Sequence, residues 1–309
     1  MASTRNCPSC NTPSTQATLF LPSNFDATQL SESSFASRKL PEFMRLNLVQ
    51  CPTCDLVYAD SPPTESTLAQ AYKDAAYDSS EEASYASIAY AKAIEPILGQ
   101  LEKRHSALEI GTGTGVFLEK LEELGFKTLV GIEPSTAAIN ASSNRARGWI
   151  RSGIFNAADF EPSSFDLICC FMTLEHVRNP MELCKDAINL LKPGGLFVTV
   201  THDYRSIVNR LLGEKSPIID IEHMQLFSNK SILELFLGAG FCNTNTRKFK
   251  NIYPLSYWLK ISPIPTKIKS YLLNKFTEKP IGKKKIGLNV GNTMAFGFKP
   301  KNIKTISLS

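Results

Sequence analysis

A chain of 309 residues with 43% hydrophobic residues exceeds one ordinary domain and can bury a substantial core, so a main domain with an appendage is expected. No apolar run approaches transmembrane length, and the start, Met-Ala-Ser-Thr-Arg-Asn-Cys-Pro, has no signal-peptide core, which leads to the expectation of a cytoplasmic protein. The net charge of +5 is uneven: Arg247 to Ser309 carries fourteen Lys and Arg against the single acid Glu278, which suits an anionic partner such as a nucleotide diphosphate, an anionic lipid surface or nucleic acid.

The N-terminus opens with two Cys-x-x-Cys pairs, Cys7-Pro-Ser-Cys10 and Cys51-Pro-Thr-Cys54. Two such knuckles can close a tetrahedral thiolate shell around Zn2+ with no position left for water, which makes Cys7, Cys10, Cys51 and Cys54 structural ligands. Metal binding would compensate for the small core of a module over about residues 1–60. The long interval between the pairs fits a ribbon with an inserted loop better than a compact finger. Its bases are few (Arg38, Lys39 and Arg45), so direct nucleic-acid recognition is weakly supported. Cys169, Cys170, Cys184 and Cys242 lie in apolar or helical stretches and read as buried hydrophobes.

Leu56-Val57-Tyr58 closes the ribbon as a strand and Ser61-Pro62-Pro63 links it to a helical cover, 61–104, with Ile88, Ala91, Ile94, Leu98 and Leu101 on one stripe. This cover is expected over the edge of the first strand, with Tyr72, Tyr77, Tyr85 and Tyr90 as packing residues. From residue 105 a strand ending in Leu108 and Ile110 feeds Gly111, Gly113 and Gly115, then an amphipathic helix up to Gly125, then a strand Thr128–Ile132 capped by Glu133. Strand, Gly-rich turn, helix, strand and acid form the front half of a nucleotide-binding unit, in which the acid accepts hydrogen bonds from ribose. The third glycine comes one residue too early for a dinucleotide fold, with Val116 in the usual place, and Glu109 is a better neighbour for a cation than for a pyrophosphate.

A helix is expected from Ser135 to about Arg145, a short strand at Trp149–Arg151, a turn at Gly153-Ile154-Phe155 and a buried strand Ser164–Phe171. Leu174-Glu175-His176 follows that strand. A helix from Pro180 to Leu191 then leads through the turn Lys192-Pro193-Gly194-Gly195 into a strand Leu196–Thr201. After His202-Asp203-Tyr204, the run Ile221 to Ser228 precedes a helix Asn229–Leu237, and strands Gly240–Phe249 and Ile286–Phe298 pair as a hairpin. Between them, about 250–285 is a basic, aromatic insertion, a candidate substrate lid or peripheral membrane contact.

From Glu109 to Gly115, with Glu133 and the Leu-Glu-His and Lys-Pro-Gly-Gly elements in order, the chain resembles the class I S-adenosylmethionine-dependent methyltransferases. The resemblance implies an α/β fold, a doubly wound, seven-stranded, mostly parallel Rossmann-like sheet over 105–309. It also implies S-adenosylmethionine bound by Glu109, Gly111, Gly113, Gly115 and Glu133, with Phe155 beside the adenine. Glu222-His223-Met224-Gln225-Leu226-Phe227-Ser228 is similar to an element of sugar C-methyltransferases, which also carry an N-terminal zinc module. There the matching histidine is linked to proton abstraction from a nucleotide-linked keto-sugar. His223 is therefore the first candidate for a general base and His176 the second, acting on a small hydroxylated acceptor, sugar-like or carried on a nucleotide or lipid. Two alternatives stay open: an RNA methyltransferase using the ribbon and basic tail, and a catalytically inactive zinc-ribbon binding protein.

Overall fold

The computed structural model describes residues 4–30, 34–35, 44–75, 80–261 and 265–301; Arg38, Lys39 and Tyr77 lie outside them. Three short strands, β1 (Thr18–Leu21), β2 (Leu48–Gln50) and β3 (Val57–Ala59), form an antiparallel sheet behind the cysteine knuckles. The two knuckles turn alike. Cys7 and Cys51 carbonyls accept from the amides of Asn11 and Asp55, both left-handed (φ 59° and 70°), a conformation that Asn and Asp tolerate best after Gly. Helices α1 (Glu65–Asp74) and α2 (Ser80–Leu98) follow.

The large sheet then starts with β4 (Ser106–Ile110), α3 (Val116–Glu123) and β5 (Thr128–Glu133). Next come α4 (Thr136–Asn140), α5 (Asn144–Arg147), β6 (Ile150–Ser152), β7 (Phe165–Phe171), α6 (Pro180–Leu190) and β8 (Leu191–His202). The remainder is α7 (Ile207–Leu212), β9 (Gln225–Leu226), α8 (Asn229–Ala239), β10 (Cys242–Pro254), α9 (Leu255–Ile261), α10 (Thr266–Phe276), α11 (Pro280–Lys283) and β11 (Lys285–Phe298).

The seven-stranded sheet has the order β10-β11-β8-β7-β4-β5-β6, parallel except where β11 pairs antiparallel with β8 and β10. One face is buried by Ile94, Ile97 and Leu98 of α2 with Phe117, Leu118 and Leu121 of α3. The other is buried by Leu183 and Ala187 of α6 with Ile232, Leu235 and Phe236 of α8. Helices on both faces of a parallel sheet make it doubly wound, as expected.

Four expectations of local structure change. β4 lies between β7 and β5, so it has no edge for α2 to cover; α2 lies on the sheet face instead, against α3 and β10. The helix expected over 135–145 is two short helices, because Ser143 stops the first run and caps the second through its hydroxyl to the Ala146 amide. Lys192-Pro193-Gly194-Gly195 is not a turn ahead of the strand but lies inside β8, with Gly194 at φ 77° and the register to β7 slipping beside it. β10 runs on to Pro254, so the insertion is confined to the three helices α9 to α11.

The small sheet does not end at β3. Gln225–Leu226, in β9, pairs with Val57 and Tyr58 and gives it a fourth strand from the far half of the chain. Cys7, Cys51, Cys54, Leu56 and Tyr58 are packed into the same buried cluster as Leu108 and Ile110 of β4.

Candidate active site

In an open parallel sheet, ligands sit beyond the carboxyl ends of the strands. Here those ends are Gly111 after β4, Glu133 on β5, Met172 after β7 and His202 on β8, and they line one cleft of about 1780 Å3. A typical small-molecule site needs ~300–1,000 Å3, so this cleft has room for two ligands side by side.

The glycine loop forms one end. A side chain at Gly111 would come within 2.2 Å of Thr173 Oγ1, and Gly113, at φ 57°, meets nothing within 4 Å and leaves its backbone open to the cleft. Glu133 is held by both carboxylate oxygens: Gly113 N donates to Oε2 (2.7 Å) and Ser135 N to Oε1 (2.8 Å). Burial raises its pKa, against the pull of those two amides. Glu109 is buried below the loop and accepts a short hydrogen bond from Thr112 Oγ1, which fixes its carboxyl under the bend. Gly115, at φ 71°, starts α3 against Ala146 and Ile150. Phe155 is half-buried, stacked with Phe160 at 6.3 Å, and borders the cleft beside exposed Ile154.

The other end is built from histidines. His176 and His223, 47 residues apart in sequence, lie with ring centroids 4.8 Å apart, and His202 meets His223 at 5.3 Å. Each has Nδ1 against a carbonyl-type oxygen: His223 to Ile218 O (3.0 Å), His176 to Glu222 O (3.2 Å), His202 to Asn292 Oδ1 (2.9 Å). An Nδ1–H donated to such an oxygen makes Nε2 the acceptor nitrogen of each ring. Burial lowers the pKa of His202 to about 4, so it is neutral at physiological pH. Glu175 is fully buried, and among the described residues neither carboxyl oxygen has a hydrogen-bond partner of normal geometry; burial raises its pKa to about 8.

Several contributors were not singled out for the site from the sequence. Tyr72 is not only a packing residue: its ring is edge-on to His176 at 6.0 Å, and its hydroxyl points to Glu222 O. Asn251 and Asn292 line the cleft from the hairpin, and Asn292 Nδ2 donates to Asn251 Oδ1. Tyr253 of β10 and Tyr257 of α9 both donate to Glu82 of α2, which ties the hairpin and the start of the insertion to the helical cover. Outward from them the rim carries Lys215, Lys260 and Lys269 beside Val208, Leu211 and Leu288.

The four knuckle thiols converge separately. Cys7 and Cys54 Sγ are 3.5 Å apart, as are Cys10 and Cys51, and all four lie within 4.8 Å of one another. A tetrahedral zinc with Zn–S bonds of about 2.3 Å needs sulfurs about 3.8 Å apart, so this donor set fits that ion.

Residues 83–246 match a family model described as a methyltransferase domain. Among curated proteins, the chain is 24% identical over 172 residues to the mitochondrial ubiquinone biosynthesis O-methyltransferase of Dictyostelium discoideum, covering 49% of this chain and 54% of that one. It is 30% identical over 118 residues to the ubiquinone biosynthesis O-methyltransferase of Burkholderia ambifaria, covering 35% and 49%. The chain thus spans about half the length of the curated relatives it matches. A solved S-adenosylmethionine-dependent methyltransferase from Thermotoga maritima, described as a possible histamine N-methyltransferase, is 21% identical, with a TM-score of 0.47 over 71% of this chain and 91% of that one. The family match runs from α2 through the glycine loop and both histidine loops into β10, and by it the chain belongs to the methyltransferase-domain family.

Proposed function

We propose that this protein transfers the methyl group of S-adenosylmethionine to a hydroxyl of a small acceptor, with His223 as general base and His176 beside it. The observation that carries the reading is the meeting of His176 and His223 at one end of a cleft whose other end is the glycine loop and Glu133. Glu133 would hold the ribose, Glu109 would favour the sulfonium charge, and Phe155 would flank the adenine. The acceptor hydroxyl gives its proton to His223 Nε2 as its oxygen attacks the methyl carbon. The C–S bond breaks, and neutral S-adenosylhomocysteine leaves. The sulfonium already activates the carbon, so the protein's tasks are alignment, exclusion of water and removal of that proton. The similarity to O-methyltransferases of ubiquinone biosynthesis supports a hydroxylated acceptor.

The rim lysines Lys215, Lys260 and Lys269 support an acceptor with an anionic handle. Leu211 of α7, 82% exposed, lines the same opening, Ile207 on the same helix is 76% exposed, and with the lysine-rich insertion they support peripheral contact with an anionic lipid surface. Zinc held by Cys7, Cys10, Cys51 and Cys54 would act structurally. The test is release of S-adenosylhomocysteine with a panel of phenols, prenylated phenols and nucleotide-linked sugars. Turnover is expected with a hydroxylated member and a fall of ~10²–10⁴-fold in His223→Ala; a His223→Ala enzyme with full turnover would remove the histidine base.

A further inference from the structure

The two histidine loops are not held only by their own strands. Gln225, two residues after His223 and fully buried, donates from Nε2 to Leu174 O (2.9 Å) and to Val177 O (2.5 Å), the carbonyls on either side of Glu175-His176. The Met224 amide donates to Glu175 O (2.9 Å), so backbone and side chain join the same two segments. The remaining amide oxygen, Gln225 Oε1, accepts from Arg5 Nη2 (3.4 Å). Arg5 lies two residues before the first knuckle cysteine, and its guanidinium reaches three segments at once. Nε donates to Ala59 O at the end of β3 (2.8 Å), Nη1 to Arg178 O after the His176 loop (2.5 Å), and Nη2 to Met224 O in the His223 loop (3.3 Å). The Arg5 amide is itself anchored to Asp60 O (2.8 Å), and the Ala59 amide donates to Met224 O (2.8 Å).

A planar fork of donors meeting carbonyls from three segments fixes distance and angle together, which a lysine on a flexible stem does not. We propose that Arg5 and Gln225 are positioning residues: a clamp from the cysteine ribbon that sets the spacing of His176 and His223. The ribbon is then a brace for the acceptor chamber rather than a separate binding module. The inference rests on reading that chamber as the acceptor site, but its test needs no acceptor.

The chain has four histidines, His105, His176, His202 and His223, so carbon-13-labelled full-length protein gives four ring Cε1–Hε1 signals, assignable by single His→Gln variants. In Arg5→Met the signals of His176 and His223 should shift and broaden, while exposed His105 stays in place, with Arg5→Lys intermediate. Affinity for S-adenosylhomocysteine by calorimetry should not change, because Glu133 and the glycine loop form the other end of the cleft. Unmoved His176 and His223 signals in a folded Arg5→Met protein with its metal content intact would overturn the proposal, as would four signals moving alike or a parallel loss of S-adenosylhomocysteine affinity. If Arg5→Met disrupts the ribbon, Gln225→Leu leaves Arg5 and the knuckles in place and decides by the same signals. Failure of the clamp leaves the base assignment standing, since that depends on turnover in His223→Ala.

Discussion

Replacing Glu133 with alanine is expected to weaken S-adenosylmethionine binding without unfolding the sheet. Glu133 stands at the tip of β5, 8% exposed, with each oxygen already accepting one backbone amide, from Gly113 and Ser135. Those two bonds aim the carboxylate into the cleft and leave lone pairs on both oxygens for the ribose hydroxyls. Charge-assisted hydrogen bonds contribute about 1.5–3 kcal/mol each, but water can enter the vacated space and recover part of that, so the net loss should be about 1–3 kcal/mol. That is a ~5–150-fold rise in Kd, readable by isothermal titration calorimetry. Glu133→Gln should not be silent either, since its amide must turn an NH2 group toward one of two backbone donors. Burial raises the folded pKa of Glu133, so wild-type affinity should fall as pH drops through that raised pKa, and this dependence should vanish in Glu133→Ala. Unchanged affinity in the alanine variant would refute the ribose role.

Glu175 carries a pH dependence of stability. Its folded pKa, about 8, lies above its ordinary value of 4.5, so the fold favours the neutral acid, and the stability this provides is lost as pH rises between those two values. Glu175→Gln, neutral throughout, should therefore be more stable than wild type at pH 8, by on the order of a few kcal/mol in denaturant unfolding, with the gain shrinking toward pH 5; an equal effect at both pH values would contradict it. Cys51→Ser should lower the bound zinc measured by mass spectrometry and expose the ribbon to proteolysis, and retained stoichiometric zinc would show that the knuckles do something else. Lys215→Glu with Lys269→Glu should raise KM for an anionic acceptor and leave S-adenosylmethionine affinity alone; an unmoved KM would take the handle away from the rim.

Much of the fold was legible because its signals are local. Alternating burial is unnecessary in a parallel sheet, so the apolar runs at Leu108, Thr128–Ile132 and Phe165–Phe171 read directly as strands, and Gly111 to Gly115 could only be a tight bend. The place of Glu133 at the tip of β5 was legible for the same reason: strand, bend and acid lie close in sequence. What could not be read arises from contacts distant in sequence. Tyr72 has nothing in its neighbourhood that ties it to His176, and Glu82 meets Tyr253 only because β10 packs against α2. The fourth strand of the small sheet, Gln225–Leu226, is two residues long and carries no periodicity of its own. The break between α4 and α5 falls at Ser142-Ser143, where the Ser143 hydroxyl accepts from the Ala146 amide and starts the second helix.

The most direct test of the account is a crystal structure of the full chain with S-adenosylhomocysteine. The account predicts the ribose hydroxyls within hydrogen-bond distance of both Glu133 oxygens and the sulfur directed toward the chamber of His176 and His223. A ribose bound elsewhere, or a sulfur turned away from both histidines, would contradict it.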